Sequence, residues 1–148
     1  MRRRAAVAII LIAAAANAAF AYRPMINFQL NCMGCHLADG SGEAGRVPSI
    51  RRTLLLFSGS PQGRNYVLRV PGVAESPLSD AATAALLNWM VRNLSDAALP
   101  RGFLDYSAAE VHRSRAHPLA DVSRARARLL RAAAAVQQRP PSRPTPRS

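Results

Sequence analysis

The chain reads as all-α: a small helical domain near its start, followed by a C-terminal helical extension. Three observations predict this. Apolar residues recur at helical spacing through Leu86, Leu87, Met90, Val91 and Leu94; helix-start signals stand at Ser79-Asp80 and at Ser107; and no alternating β/α pattern flanks either run.

The first element is short. Arg2, Arg3 and Arg4 precede an apolar run from Ala5 to Ala16, too short to cross a bilayer comfortably. Residues 1–21 therefore read as a secretory signal peptide with Ala19-Phe20-Ala21 as the cleavage pattern. The expected mature chain starts at Tyr22 and is periplasmic; a membrane enters only if the segment stays uncleaved.

Ten residues later comes Cys32-Met33-Gly34-Cys35-His36. C-x-x-C-H is the attachment pattern of c-type haem. Two thiols on one helical turn can each add across a vinyl group, and the adjacent imidazole then lies under the iron as an axial ligand. Other readings of two cysteines at this spacing are a structural zinc site and a redox dithiol. Zinc normally asks for four protein ligands, and the sequence has no second Cys pair. A thioredoxin-type dithiol would sit between a strand and a helix.

Further along, Ser79 is a good N-cap, Asp80 complements the helix N-terminus, and the run to Leu94 forms the first long helix. Pro100-Arg101-Gly102 signals a turn. Ser107 and Glu110 have capping-box spacing, which predicts a helix from about 108 to 116, ended by Pro118. A second helix is expected from about 119 to 135, and residues 137–148, rich in Pro, Arg and Ser, read as disordered. The division is thus a core domain over 22–98, an Arg-rich helical extension over 99–136 and a tail.

Charge follows this division. The 148 residues carry a formal charge of +12, with no Lys at all. Residues 1–21 hold three Arg; residues 22–111 hold eight Arg against seven acids; residues 112–148 hold nine Arg against one acid. A nucleic-acid partner is not expected, because the basic segment lacks interleaved aromatics and an export signal precedes it. Docking to an acidic redox partner fits the excess, as does a solvated helix covering the core. Hydrophobic residues make up 49% of the chain, but aromatics only 5%, and a core so thin would gain from a large apolar cofactor.

From Asn27 to Leu94 the sequence resembles a class I cytochrome c. The attachment motif lies near the mature N-terminus, Gly-rich turns follow at Asp39-Gly40-Ser41-Gly42 and Gly45, Pro48 stands twelve residues after His36, and Leu78-Ser79-Asp80 opens the last helix of the core domain. The resemblance implies one covalently bound haem c wrapped by three or more short helices. It implies that the Pro48 carbonyl accepts the Nδ1 proton of His36 and orients the ring. It also implies that Trp89 packs on an N-terminal helix containing Phe28 and Leu30.

One departure concerns the sixth iron ligand. The family carries a Met in the loop before the last helix, whereas Val70 to Pro77 here holds neither Met nor His. Met90, on the apolar side of its helix, is the first candidate; Met25, His112, His117, another chain, or an open site are the alternatives, and Met33 lies within the attachment loop. Arg46, Arg51 and Arg52 flank Pro48 and are candidate propionate contacts, with Tyr66 and Trp89 as further donors. The expected function is single-electron transfer between a periplasmic dehydrogenase and a later acceptor, without enzymatic activity of its own. The alternatives are a haem enzyme or ligand sensor with an open distal site, and a non-catalytic haem subunit of a larger dehydrogenase.

Overall fold

A computed structural model describes residues 23–138. Residues 1–21, expected to be a signal segment, and most of the C-terminal tail lie outside the described residues. Among these the architecture is all-helical, with one isolated bridge between Glu43 and Val47 as the only extended pairing. No described helix is long and apolar enough to cross a membrane.

The order is α1 (23–31), α2 (Met33–His36), α3 (Ile50–Ser58), α4 (Pro61–Arg69), α5 (Pro71–Ala74), α6 (Asp80–Leu94), α7 (Ala108–Arg115) and α8 (Val122–Gln137). Helix α1 presents Phe28 to the core, where its ring meets Trp89 of α6 at 5.8 Å between centroids. Leu30, two residues on and so on the other side of the helix, is 78% exposed and borders a cavity.

The Gly-rich stretch folds back on α2. Gly42 donates its N–H to the His36 carbonyl, at 3.1 Å, with φ +71°. A Cβ there would lie 2.4 Å from the Val47 carbonyl oxygen, so this turn requires glycine.

Helices α3 and α4 form a tight hairpin. Ser60 caps α4 by accepting from the Gly63 N–H at 3.1 Å, and Pro61 takes the first helical position, where no N–H is needed. The crossing is close because Gly63 has no Cβ: one would sit 2.1 Å from the Phe57 carbonyl oxygen. Phe57 then meets Tyr66 edge to face at 5.1 Å.

Helix α6 begins where the caps predict, with Ser79 Oγ accepting from the Ala82 N–H at 3.2 Å. Helix α7 starts after Ser107, whose Oγ accepts from the Glu110 N–H at 3.2 Å. Only half of the expected box forms, because the Glu110 carboxylate turns to Arg64 instead. Helix α8 starts at Val122 rather than near 119: Asp121 accepts from the Arg124 N–H at 2.8 Å and caps it, while the Leu119 N–H donates to the Arg69 carbonyl at 2.8 Å.

The segment after residue 98 shares the core of the segment before it. Tyr106 and Val111 are buried in one cluster with Phe28, Leu68, Leu87 and Val91. Asn88 holds the Tyr106 backbone from both sides, accepting its N–H at 2.7 Å and donating to its carbonyl at 3.0 Å. Through α7 the extension is part of the core, whereas none of the described residues of α8 is buried.

Candidate functional site

Cys32 is the N-cap of the one-turn helix α2, and the N–H groups of Cys35 and His36 donate to its carbonyl at 3.2 and 3.0 Å. Positions i, i+3 and i+4 share one face of a helix, so both thiols and the imidazole point the same way. The cysteines are not joined to each other. Burial holds the Cys32 thiol above its ordinary pKa, and the neighbouring Cys35 pushes in the same direction. Immediately after His36, Leu37 adopts φ +59° and ψ 168°, a backbone region populated almost wholly by glycine.

All three side chains border an apolar cavity of about 500 Å³, within the size range of cofactor sites. Helix α3 contributes Leu54 and Phe57 to its wall, α4 Tyr66 and Val67, and α6 the stripe Thr83, Leu86, Leu87 and Met90. The segment before α6 lines it with Val70, Pro71, Val73 and Ser76, its first part being helix α5 rather than loop. Arg115 of α7 fixes that segment: it donates to the carbonyls of Ala74, Leu78 and Ser76 at 3.0, 2.8 and 2.5 Å and pairs with Asp80.

Three buried polar atoms around this cavity have no hydrogen-bond partner: His36 Nδ1, Ser76 Oγ and Thr83 Oγ1. Buried polar groups are nearly always paired; these three, on residues that line the cavity, have no partner among the described residues. Burial lowers the pKa of His36, and the Pro48 backbone carbonyl acts in the opposite direction. That carbonyl faces the imidazole, although no partner at Nδ1 meets full hydrogen-bond geometry.

The residues fit the haem that the motif implies. Two thiols and an imidazole share one helical face at the edge of a largely apolar cavity, and the one charged side chain on its wall is a cation, Arg126 of α8. Among the described residues, no group of three His, Cys, Asp or Glu side chains is arranged to hold a metal ion by itself.

Of the sixth-ligand candidates within this chain, only Met90 reaches the cavity; Met25, Met33, His112 and His117 do not border it. His112 lies outside, with Nδ1 3.0 Å from Asp80. Two of the three arginines expected near a propionate are engaged elsewhere. Arg46 pairs with Glu43 at 3.0 Å, and Arg51 with Asp39 and Asp96 at 3.3 and 2.6 Å. With Arg52 they border an adjacent polar groove instead of the apolar cavity. Trp89 is used in packing. Arg126 borders both spaces and was missed by sequence reasoning, which read the whole Arg-rich helix as surface. The signal for it was Val122-x-x-x-Arg126, an apolar residue and an arginine on one helical face.

No family model, curated protein or solved structure matches this chain.

Proposed function

We propose that the protein is an exported electron carrier holding a single covalently attached c-type haem. One observation supports this above the others: the face of α2 bearing Cys32, Cys35 and His36 opens onto an apolar cavity that also contains Met90. In this reading each thiol adds its S–H across one vinyl double bond, sulfur to one carbon and hydrogen to the other, leaving two thioethers. His36 and the Met90 thioether would ligate the iron, and the Pro48 carbonyl would orient the imidazole. The haem supplies a one-electron couple, and an imidazole-thioether pair favours its reduced form. The protein keeps water away with Leu54, Phe57, Val67 and Leu87. Substrate chemistry belongs to a partner, a dehydrogenase with an acidic docking face, which meets the exposed arginines of α8.

The test is expression in a host that matures c-type cytochromes, followed by a pyridine haemochrome spectrum of the denatured protein. Haem that stays attached in the wild type is expected, falling to one thioether in Cys32→Ser or Cys35→Ser and to none in the double variant. A wild-type chain without covalent haem overturns the proposal. For the second ligand, the weak ferric sulfur-to-iron band should vanish in Met90→Leu.

A second reading, a ligand sensor or haem enzyme with an open distal position, draws on the Ser76 and Thr83 hydroxyls, which have no partner and line the same cavity. Rapid carbon monoxide binding by the reduced wild type would favour it over the carrier.

A further inference from the structure

Helix α8 is weakly held by the rest of the molecule. None of its described residues is buried, and Leu129 and Leu130 are only partly covered. Side chains that tie residues 99–117 to the body include Arg64, Arg69, Arg92 and Arg115, whereas among the described residues none of the four arginines of α8 makes a side-chain hydrogen bond or ion pair.

Arg124, Arg128 and Arg131 are exposed, as solvated cations are. Arg126 is not. It is half-buried, lines the apolar cavity with Val122 one turn away, and has its guanidinium 5.9 Å from the Phe57 ring centroid. At that distance a ring face offsets only part of the cost of withdrawing a guanidinium from water. Arginines drawn inward elsewhere have a carboxylate: Arg64 has Glu110, at 2.5 Å, and Arg115 has Asp80, at 3.2 Å. Among the described residues no Asp or Glu borders the apolar cavity, and although Arg126 also reaches the polar groove lined by Asp39, Glu43 and Asp96, it forms no ion pair with them, since those acids pair with Arg46 and Arg51. Its nearness also tempers the rise that burial imposes on the Tyr66 pKa, which places its positive charge at the cavity wall.

We infer that Arg126 binds a carboxylate of the molecule held in the cavity, and that this ion pair fastens α8 to the core. The inference rests on the haem reading, in which the carboxylates are the propionates. It makes α8 part of the cofactor site: the inward face, Val122 and Arg126, grips the cofactor, while the outward arginines stay free for a partner. A guanidinium suits this role because its fork matches a carboxylate with two parallel hydrogen bonds.

The test uses the full chain matured with haem, its loading measured by the haemochrome assay, and amide hydrogen exchange resolved along α6 and α8. In Arg126→Gln the α8 amides should exchange at least tenfold faster than in the wild type, with haem content and α6 protection unchanged. Arg128→Gln should match the wild type. If Arg126→Gln fails to fold, Arg126→Met decides: with the stem kept and no charge to pair, α8 should exchange faster than in the wild type, and an equal rate overturns the inference. Equal α8 exchange in loaded wild type and Arg126→Gln overturns the inference alone, as does an Arg128→Gln effect of the same size. A wild-type chain that carries no covalent haem overturns it together with the functional reading.

Discussion

Tyr106 is a single residue on which several parts of the chain converge. Its hydroxyl lies 2.7 Å from Ser58 Oγ, Arg64 stacks over its ring at 4.0 Å, and burial pushes its pKa up to about 12, with the Ser58 hydrogen bond and Arg64 opposing. The folded protein therefore holds the phenolic proton more tightly than the unfolded chain, whose value is 10.0. The stability this confers is complete below pH 10 and is lost as the pH rises toward about 12, at roughly 1.4 kcal/mol per pH unit. Tyr106→Phe should flatten this alkaline decline and cost about 1 kcal/mol at neutral pH, since Ser58 loses its partner; urea unfolding at pH 7 and pH 11 measures both effects. Leu37 makes the opposite case. Its positive φ, directly after His36, costs an estimated 1–3 kcal/mol, and its side chain is half exposed. Leu37→Gly should raise stability by about 1 kcal/mol, read as a higher urea midpoint. At the residue scale, the common helical face of Cys32, Cys35 and His36 was legible because local spacing carries it. Tyr106 was not, because its value lies in partners 18 and 48 residues away.

At the scale of elements, the helices with strong local starts were legible. Ser79-Asp80 and Ser107 with Glu110 announced α6 and α7, since an N-cap acts within three residues. Helices α3, α4 and α5 carried weaker signals, in Ser60-Pro61, Val70-Pro71 and the i, i+4, i+7 trio Ile50, Leu54 and Phe57. They are nine residues long or less, and helices this short draw their stability from packing more than from propensity. The α3–α4 hairpin depends on Gly63. Gly63→Ala should destabilise the fold by about 3 kcal/mol or more, because the added Cβ meets rigid backbone, and a thermal melt should show it. Helix α7 is pinned by Arg64 and Glu110, whose side chains are 13% and 25% exposed and 2.5 Å apart. Arg64→Met should cost about 2 kcal/mol, below the loss for a fully buried pair because Glu110 keeps some solvent. Removing the second partner as Glu110→Gln should recover part of that loss in a double-mutant cycle.

For the whole molecule, the positional split of charge has a kinetic consequence. The exposed Arg124, Arg128 and Arg131 of α8 form a cationic face beside the proposed cofactor cavity. If they steer an acidic partner, neutralising all three to Gln should flatten the fall of the electron-transfer rate constant with ionic strength while leaving the fold's melting temperature nearly unchanged. Surface substitutions suit this experiment better than truncation, because Val111 and Arg115 belong to the core and to the segment that lines the cavity. By itself the sequence determined the all-helical class, the starts of α6 and α7, the Cys-x-x-Cys-His spacing and the concentration of charge in the C-terminal segment. Each of these depends on residues within a few positions of one another. Only the tertiary structure decided that Met90 is the one proposed in-chain ligand candidate to meet the cavity, that Arg46 and Arg51 are engaged with acids outside it, and that residues 99–115 complete the core. It alone brought Arg126 to the cavity wall. Those outcomes depend on which distant faces meet when the helices pack, and on which charges find partners there, and neither follows from spacing along the chain.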